Sequence, residues 1–221
     1  MSHSGVVILA LPFLMGLHPN LGAQTSAQPN PKAILAKATE DLVKSGQAER
    51  AIHQGQKAPH FTLPNAKGQP VRLSDLLKKG PVILTFYRGG WCPFCNLQLK
   101  SYQSHLAEIR AKGAELVAVS PQTPEYTLST AEQDALTFPV LSDVGGKVAR
   151  EYGLVFKVPD DVVPIYKKFG IDLEKHNGDA RHELPIPGTY LIGRDGTVLL
   201  SHVDADYKKR LPVETILDAL K

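Results

Sequence analysis

The stretch Val82-Ile83-Leu84-Thr85-Phe86-Tyr87-Arg88-Gly89-Gly90-Trp91-Cys92-Pro93-Phe94-Cys95 decides how the chain is read. From Pro81 to Tyr87 it is short, apolar, β-branched and aromatic, the pattern of a buried strand. From Pro93 to Lys112, Phe94, Leu97, Leu106 and Ile109 recur at roughly helical spacing, which predicts a helix. Cys92 and Cys95, the only two cysteines of the chain, therefore stand at a strand-to-helix junction. A C-x-x-C dithiol in that setting points to a thiol redox centre.

Position supplies the chemistry. Cys92 falls at or just before the first helical turn, where unpaired backbone N–H groups and the positive end of the helix dipole favour a thiolate. Pro93 suits the first helical position because its missing N–H would have had no partner. A lowered pKa is thus expected for Cys92. Cys95, one turn further in, is expected to be less exposed, more nearly a normal thiol, and the resolving partner. Three plainer readings stand beside this one. A structural disulfide would close too small a loop to remove much unfolded-chain entropy. A zinc site needs about four ligands, and His53, His60, His105, His176, His182 and His202 show no ligand-like spacing. The third is a plain pair of buried core cysteines.

With 221 residues and 43% hydrophobic content, the chain fits one globular domain with additions. The formal net charge of +3 is spread along the sequence. Its small clusters, Lys78-Lys79, Lys167-Lys168 and Lys208-Lys209-Arg210, read as solvated faces rather than a nucleic-acid footprint. No nucleic-acid partner is expected. Val6 to Leu17 is apolar and is followed by the small, polar segment Gly22 to Gln28, which matches the core and cleavage zone of a secretory signal. Residues 1–23 are therefore expected to be a leader that exports the chain to the periplasm or outside the cell; left uncleaved, the segment would anchor the domain to a membrane. Its Met1-Ser2-His3-Ser4 start lacks the usual basic residue.

Residues 24–55 are expected to hold a linker and one amphipathic helix over Lys32 to Gln54, with Ile34, Leu35, Ala38, Leu42 and Val43 on its apolar stripe. That stripe would pack on the main domain or on the partner subunit of a homodimer. Residues 56–221 form the main domain. Phe61-Thr62-Leu63 and Val71-Arg72-Leu73 bracket a turn, and a short helix starts at Ser74-Asp75. Ala114 to Ser120 is a second buried strand, so strand, helix and strand suggest a parallel βαβ unit. A helix from about Pro124 to Ala135, a strand over Phe138 to Asp143 and a short helix over Gly145 to Tyr152 follow. Thr189 to Ile192 and Val198 to Leu200 flank Arg194-Asp195-Gly196, a strong hairpin signal, and a helix beginning at Pro212 ends the chain. Residues 158–183 read as a partly helical insertion that lies over the site.

From Gln56 onward the chain resembles the thioredoxin-fold superfamily, and most closely the peroxiredoxin-like branch of the alkyl hydroperoxide reductase and thiol-specific antioxidant (AhpC/TSA) family, in the subgroup carrying C-P-x-C. The residues that carry the resemblance are Ala58-Pro59-His60-Phe61-Thr62-Leu63, Phe86-Tyr87 before the cysteine motif, Phe138 to Asp143, and Tyr190 to Gly196. The resemblance implies a thioredoxin-like three-layer α/β/α sandwich with a central mixed sheet, preceded by the N-terminal helix. It implies a thiol peroxidase without a cofactor. Cys92 would attack a hydroperoxide to give a sulfenic acid, Cys95 would condense with it to a disulfide, and a thioredoxin-like or small-thiol reductant would close the cycle.

Two departures from the family pattern stand out. Peroxiredoxins carry Thr or Ser three residues before the peroxidatic cysteine and Pro seven before, where this chain has Gly89 and Thr85. They also place an Arg before the strand corresponding to Thr189-Tyr190-Leu191-Ile192, where Ile186-Pro187 here resembles the cis-proline position of thioredoxins. A cis bond at Pro187 is accordingly expected, with Trp91, Pro187 and Thr189 contacting substrate. Arg88, four residues before Cys92, is a candidate to lower its pKa and polarise the peroxide; its plainer reading is a solvent-facing strand-end arginine. Two other functions remain open at this stage. One is a thiol:disulfide oxidoreductase acting on proteins; the other is a non-catalytic redox sensor.

Overall fold

The structure, a computed structural model, describes Met1 and residues 30–220; the expected leader and most of the linker lie outside the described residues. The central sheet grows around β3 (Val82–Phe86), every residue of which is buried. β3 runs parallel to β4 (Glu115–Ser120), which runs parallel to β5 (Val140–Ser142). On its other side β3 pairs antiparallel with β8 (Gly188–Ile192), and β8 with β9 (Val198–Val203), giving the mixed order β5-β4-β3-β8-β9.

Strand alternation splits the core between the two faces of this sheet. Val82, Leu84 and Phe86 point to one face, where they meet α2 (Leu73–Lys79) and α6 (Lys147–Glu151) through Leu76, Leu77, Val148 and Ala149. Ile83 and Tyr87 point to the other, under α3 (Pro93–Ser104), α4 (Leu106–Ala111) and α9 (Val213–Ala219). Each fully buried aliphatic side chain in these layers contributes about 1.5–3 kcal/mol relative to exposure. The result is the expected three-layer α/β/α sandwich, and both cysteines lie in the layer under α3.

Several elements differ from expectation for identifiable reasons. The predicted helix over 32–54 ends early: α1 covers Pro31–Lys44, and Ser45 and Gly46 turn the chain, with Gly46 at φ +65. A short 3-10 turn at Ala48–Arg50 follows. Asn30 caps α1 by accepting from the Lys32 N–H. The helix after the cysteines breaks at His105 into α3 and α4. Phe94 and Leu97, expected on its apolar stripe, face outward instead.

The insertion is a closed excursion. Its stem pairs β6 (Val155–Lys157) antiparallel with β7 (Glu183–Pro185). Between them lie α7 (Val163–Lys168) and α8 (Leu173–Asn177), with Asp172 capping α8 through the Lys175 N–H. Val158, Val162, Leu173 and Leu184 form a small third core, against which Ile34, Leu35 and Ala38 of α1 pack. The first hairpin, β1 (Thr62–Pro64) with β2 (Pro70–Arg72), and the helix α5 (Pro124–Gln133) complete the fold. Among the described residues no helix is long and apolar enough to cross a membrane.

Candidate active site

The segment between β3 and α3 is pinned on both sides. The Gly90 N–H donates to Gln122 Oε1 at 2.8 Å, Asn96 Nδ2 donates to the Gly90 carbonyl at 2.7 Å, and the Cys92 N–H donates to the Gly89 carbonyl at 3.0 Å. Gly89 has φ +150, and a Cβ there would sit 2.5 Å from Trp91 Nε1. Only glycine fits that combination, which is why the hydroxyl usual at this position has no place here. Cys92 is the residue before α3, and Pro93 takes the first helical position, as expected.

Cys92 Sγ and Cys95 Sγ lie 2.7 Å apart and unbridged. Both are buried, but only Cys92 lines the cavity over the site. That cavity has a volume of about 300 Å3 and is mainly apolar. Leu35, Ala38 and Leu42 of α1 form one wall, Val162, Tyr166 and Phe169 of the insertion another, and Arg88, Trp91 and Pro187 border Cys92. Residues of the insertion and of α1 thus line the cavity together.

Arg88 is not the solvent-facing arginine of its plainer reading: it is 4% exposed. Its guanidinium carbon stands 4.4 Å from the Tyr207 ring centre, 5.0 Å from Trp91 and 5.7 Å from Tyr166, and its Nη2 donates to Tyr166 Oη. Burial works against its charge, but the Tyr166 hydroxyl and then the two cysteines hold its pKa up.

The expected lowering of the Cys92 pKa is corrected by this geometry. Its hydrogen bond with Cys95, burial and the charge on Cys95 push the Cys92 thiol up, and Arg88 pulls it down less strongly. The helix end helps little, because the Cys95 and Asn96 N–H groups are engaged by the Cys92 carbonyl. Cys95, expected to be the ordinary thiol, is the group held down. Burial opposes its ionisation, but the hydrogen bond with Cys92 and then the charges of Arg210 and Arg88 bring it to about 6. The two sulfurs act as one dithiol that sheds its first proton easily and its second with difficulty.

Arg210 was read as part of a solvated basic cluster, and the structure corrects that as well. Its Nη2 donates to Cys95 Sγ at 3.4 Å and its Nη1 to Gln98 Oε1 at 3.0 Å. No sequence signal marked it, since it lies in an irregular loop 115 residues from its partner. Tyr207, the third aromatic face on Arg88, was missed for the same reason.

The remaining expected contacts divide. Trp91 packs beside the dithiol and against Tyr166, with ring centres 5.7 Å apart. Pro187 borders the cavity, but no described peptide bond is cis, so the expected cis bond is absent; the trans form is the intrinsically preferred one. Thr189 does not reach the cavity. It is buried in the sheet, its hydroxyl 3.0 Å from Thr85 Oγ1 and 3.2 Å from Tyr102 Oη.

Comparison with known proteins agrees with this fold. The profile of the AhpC/TSA family matches residues 54–201. Peroxiredoxin Q of the chloroplast from Sedum lineare is 32% identical over 149 residues, covering 67% of this chain and 68% of that protein. Peroxiredoxin Bcp of Escherichia coli (strain K12) is 30% identical over 170 residues, covering 77% of this chain and 96% of that one. Thiol-disulfide oxidoreductase ResA of Bacillus thuringiensis subsp. konkukian is 25% identical over 152 residues, or 68% of this chain and 70% of ResA. The crystal structure of peroxidoxin BcpB from Mycobacterium tuberculosis superposes with a TM-score of 0.60 at 25% identity, covering 76% of this chain and 96% of that one. With its dithiol at the strand-to-helix junction of a thioredoxin-like sandwich, the chain belongs to the AhpC/TSA family.

Proposed function

We propose that the chain is a thiol peroxidase that reduces hydroperoxides with Cys92 and resolves the product with Cys95. The observation that carries the reading is that Cys92 alone of the dithiol faces the cavity, with Arg88 beside it and Cys95 Sγ 2.7 Å behind it. Cys92 passes its proton to the Cys95 thiolate across that contact. The Cys92 thiolate then attacks the terminal peroxide oxygen, the O–O bond breaks, and Cys92 becomes a sulfenic acid while an alcohol or water leaves. Cys95, carrying the proton it accepted, next attacks the Cys92 sulfur and expels hydroxide, which takes the Cys95 proton to leave as water. A thioredoxin-like or small-thiol reductant returns the disulfide to the dithiol.

Turnover of hydrogen peroxide or an organic hydroperoxide with a dithiol reductant tests the reading. Cys92→Ser is expected to abolish it, and retained turnover in that variant would remove Cys92 from the role. The similarity to ResA keeps protein disulfide exchange as the second reading. Under that reading the reduced protein would reduce a protein disulfide rapidly and hydroperoxides no faster than free cysteine does.

Export belongs to the same proposal and is supported by the sequence of residues 1–28. Expressed with its full N-terminus in a bacterium, the chain is expected in the periplasm with a new N-terminus near residue 24. An intact cytoplasmic chain would contradict export.

A further inference from the structure

The reaction needs a hydrogen-bond donor beside the sulfur, because breaking the O–O bond leaves an oxyanion that must be stabilised and protonated. Gly89 cannot supply one: it has no side chain, and a side chain there would meet both a positive φ and the Trp91 ring. Three other polar side chains at the cavity wall are committed. Thr39 Oγ1 donates back to the Leu35 carbonyl, Lys157 pairs with Asp160 at 3.2 Å, and Asp41 pairs with Lys37. Trp91 Nε1 has no hydrogen-bond partner but is closed off against Gly89, and Tyr207 meets Arg88 through its ring face, without the hydrogen bond that would orient its hydroxyl.

Tyr166 is different. It comes from α7 of the insertion, lines the same cavity as Cys92, and accepts a hydrogen bond from Arg88 Nη2, which leaves its own O–H proton to give. Resting on the peroxidase reading above, we propose that Tyr166 is a catalytic residue. Its hydroxyl holds the peroxide beside Cys92 and protonates the departing oxygen, the part a hydroxyl at position 89 would otherwise play.

The step balances. The Cys92 thiolate bonds to the terminal peroxide oxygen, which keeps its hydrogen, and sulfur is oxidised to the sulfenic acid. The O–O electron pair leaves on the other oxygen as alkoxide or hydroxide, which takes the Tyr166 proton. The resulting phenolate is neutralised by the buried Arg88 cation and regains a proton from water. Burial raises the Tyr166 pKa despite the Arg88 charge, so the hydroxyl enters the reaction protonated. Arg88 thereby acts through Tyr166 as well as on the sulfur.

The test compares Tyr166→Phe with its parent in a Cys95→Ser background, where Cys92 is the one thiol and its oxidation stops at the sulfenic acid. The ring is retained in Phe, so the stack on Trp91 and Arg88 is kept. Two rates are followed at pH 7: oxidation by hydrogen peroxide, and alkylation by iodoacetamide, which needs the thiolate but no proton donor. The proposal expects peroxide oxidation to fall by about 100-fold and alkylation to stay within about threefold. Peroxide oxidation within about threefold of the parent overturns it. So does an equal fall in both rates, which would make Tyr166 a support of the thiolate and not a donor to the peroxide. If the intact dithiol protein reacts with peroxide no faster than free cysteine, the peroxidase reading itself fails, and that outcome is distinct from both.

Discussion

At the scale of single residues, charge placement around the dithiol governs reactivity. Two guanidinium groups flank two buried sulfurs, the buried Arg88 on the cavity side and the half-buried Arg210 behind Cys95. Because the folded Cys95 thiol sits at about 6 against an ordinary 9.0, its thiolate favours the folded state. That contribution is complete above the ordinary value and is lost as pH falls through about 6. Thiolate absorbance of the reduced protein is therefore expected to show one thiolate appearing near pH 6. Arg210→Gln should move this step upward, toward 9.0, and Arg210→Lys should restore part of it. A first step unchanged in Arg210→Gln would show that Arg210 does not govern it. Little of this was legible in the sequence. Cys92, Cys95 and Arg88 share one short segment and could be read together, whereas Arg210 reaches Cys95 only through the folded chain.

At the scale of elements, local periodicity explains what could be read in advance. β3, β4 and the β8–β9 hairpin have the short apolar runs or turn residues that specify strands locally, and the structure contains each of them. Errors arose where local pattern and tertiary packing disagree. The helix expected as far as Gln54 stops at Ser45 and Gly46, which turn the backbone. Phe94 and Leu97 kept helical spacing yet face away from the core. A tight contact between elements gives a separate prediction. Gly80, between α2 and β3, leaves no room for a Cβ, which would lie 1.8 Å from the Gly113 carbonyl between α4 and β4. Its φ of 179 is ordinary extended backbone, so the constraint is space alone. Gly80→Ala should cost about 1–3 kcal/mol by overpacking, read as a lower urea midpoint, with the thiolate step near pH 6 retained. An unchanged midpoint would mean that the two loops separate freely.

At the scale of the molecule, the family core over residues 54–201 supplies the dithiol, while the wall facing it is built partly from outside that core. α1 precedes the matched residues, and it meets the insertion across the cavity through Leu35, Ala38 and Leu42. The role of α1 was half legible: an amphipathic helix packing on the domain was expected, but its place above Cys92 depends on the third core, which no local pattern reveals. Together these parts sink Cys92 to 1% exposure at the base of an apolar cavity, with Cys95 behind it and charged and hydroxyl groups at its side.

The central claim is that Cys92 is the sulfur that peroxide oxidises. Its most direct test is a single turnover of the fully reduced dithiol protein with one equivalent of hydrogen peroxide, followed by stopped flow, with the sulfenic acid trapped by dimedone in Cys95→Ser and located by mass spectrometry. Oxidation far faster than for free cysteine, with the adduct on Cys92, is the predicted result. A rate no better than free cysteine, or no adduct at Cys92, would contradict the account.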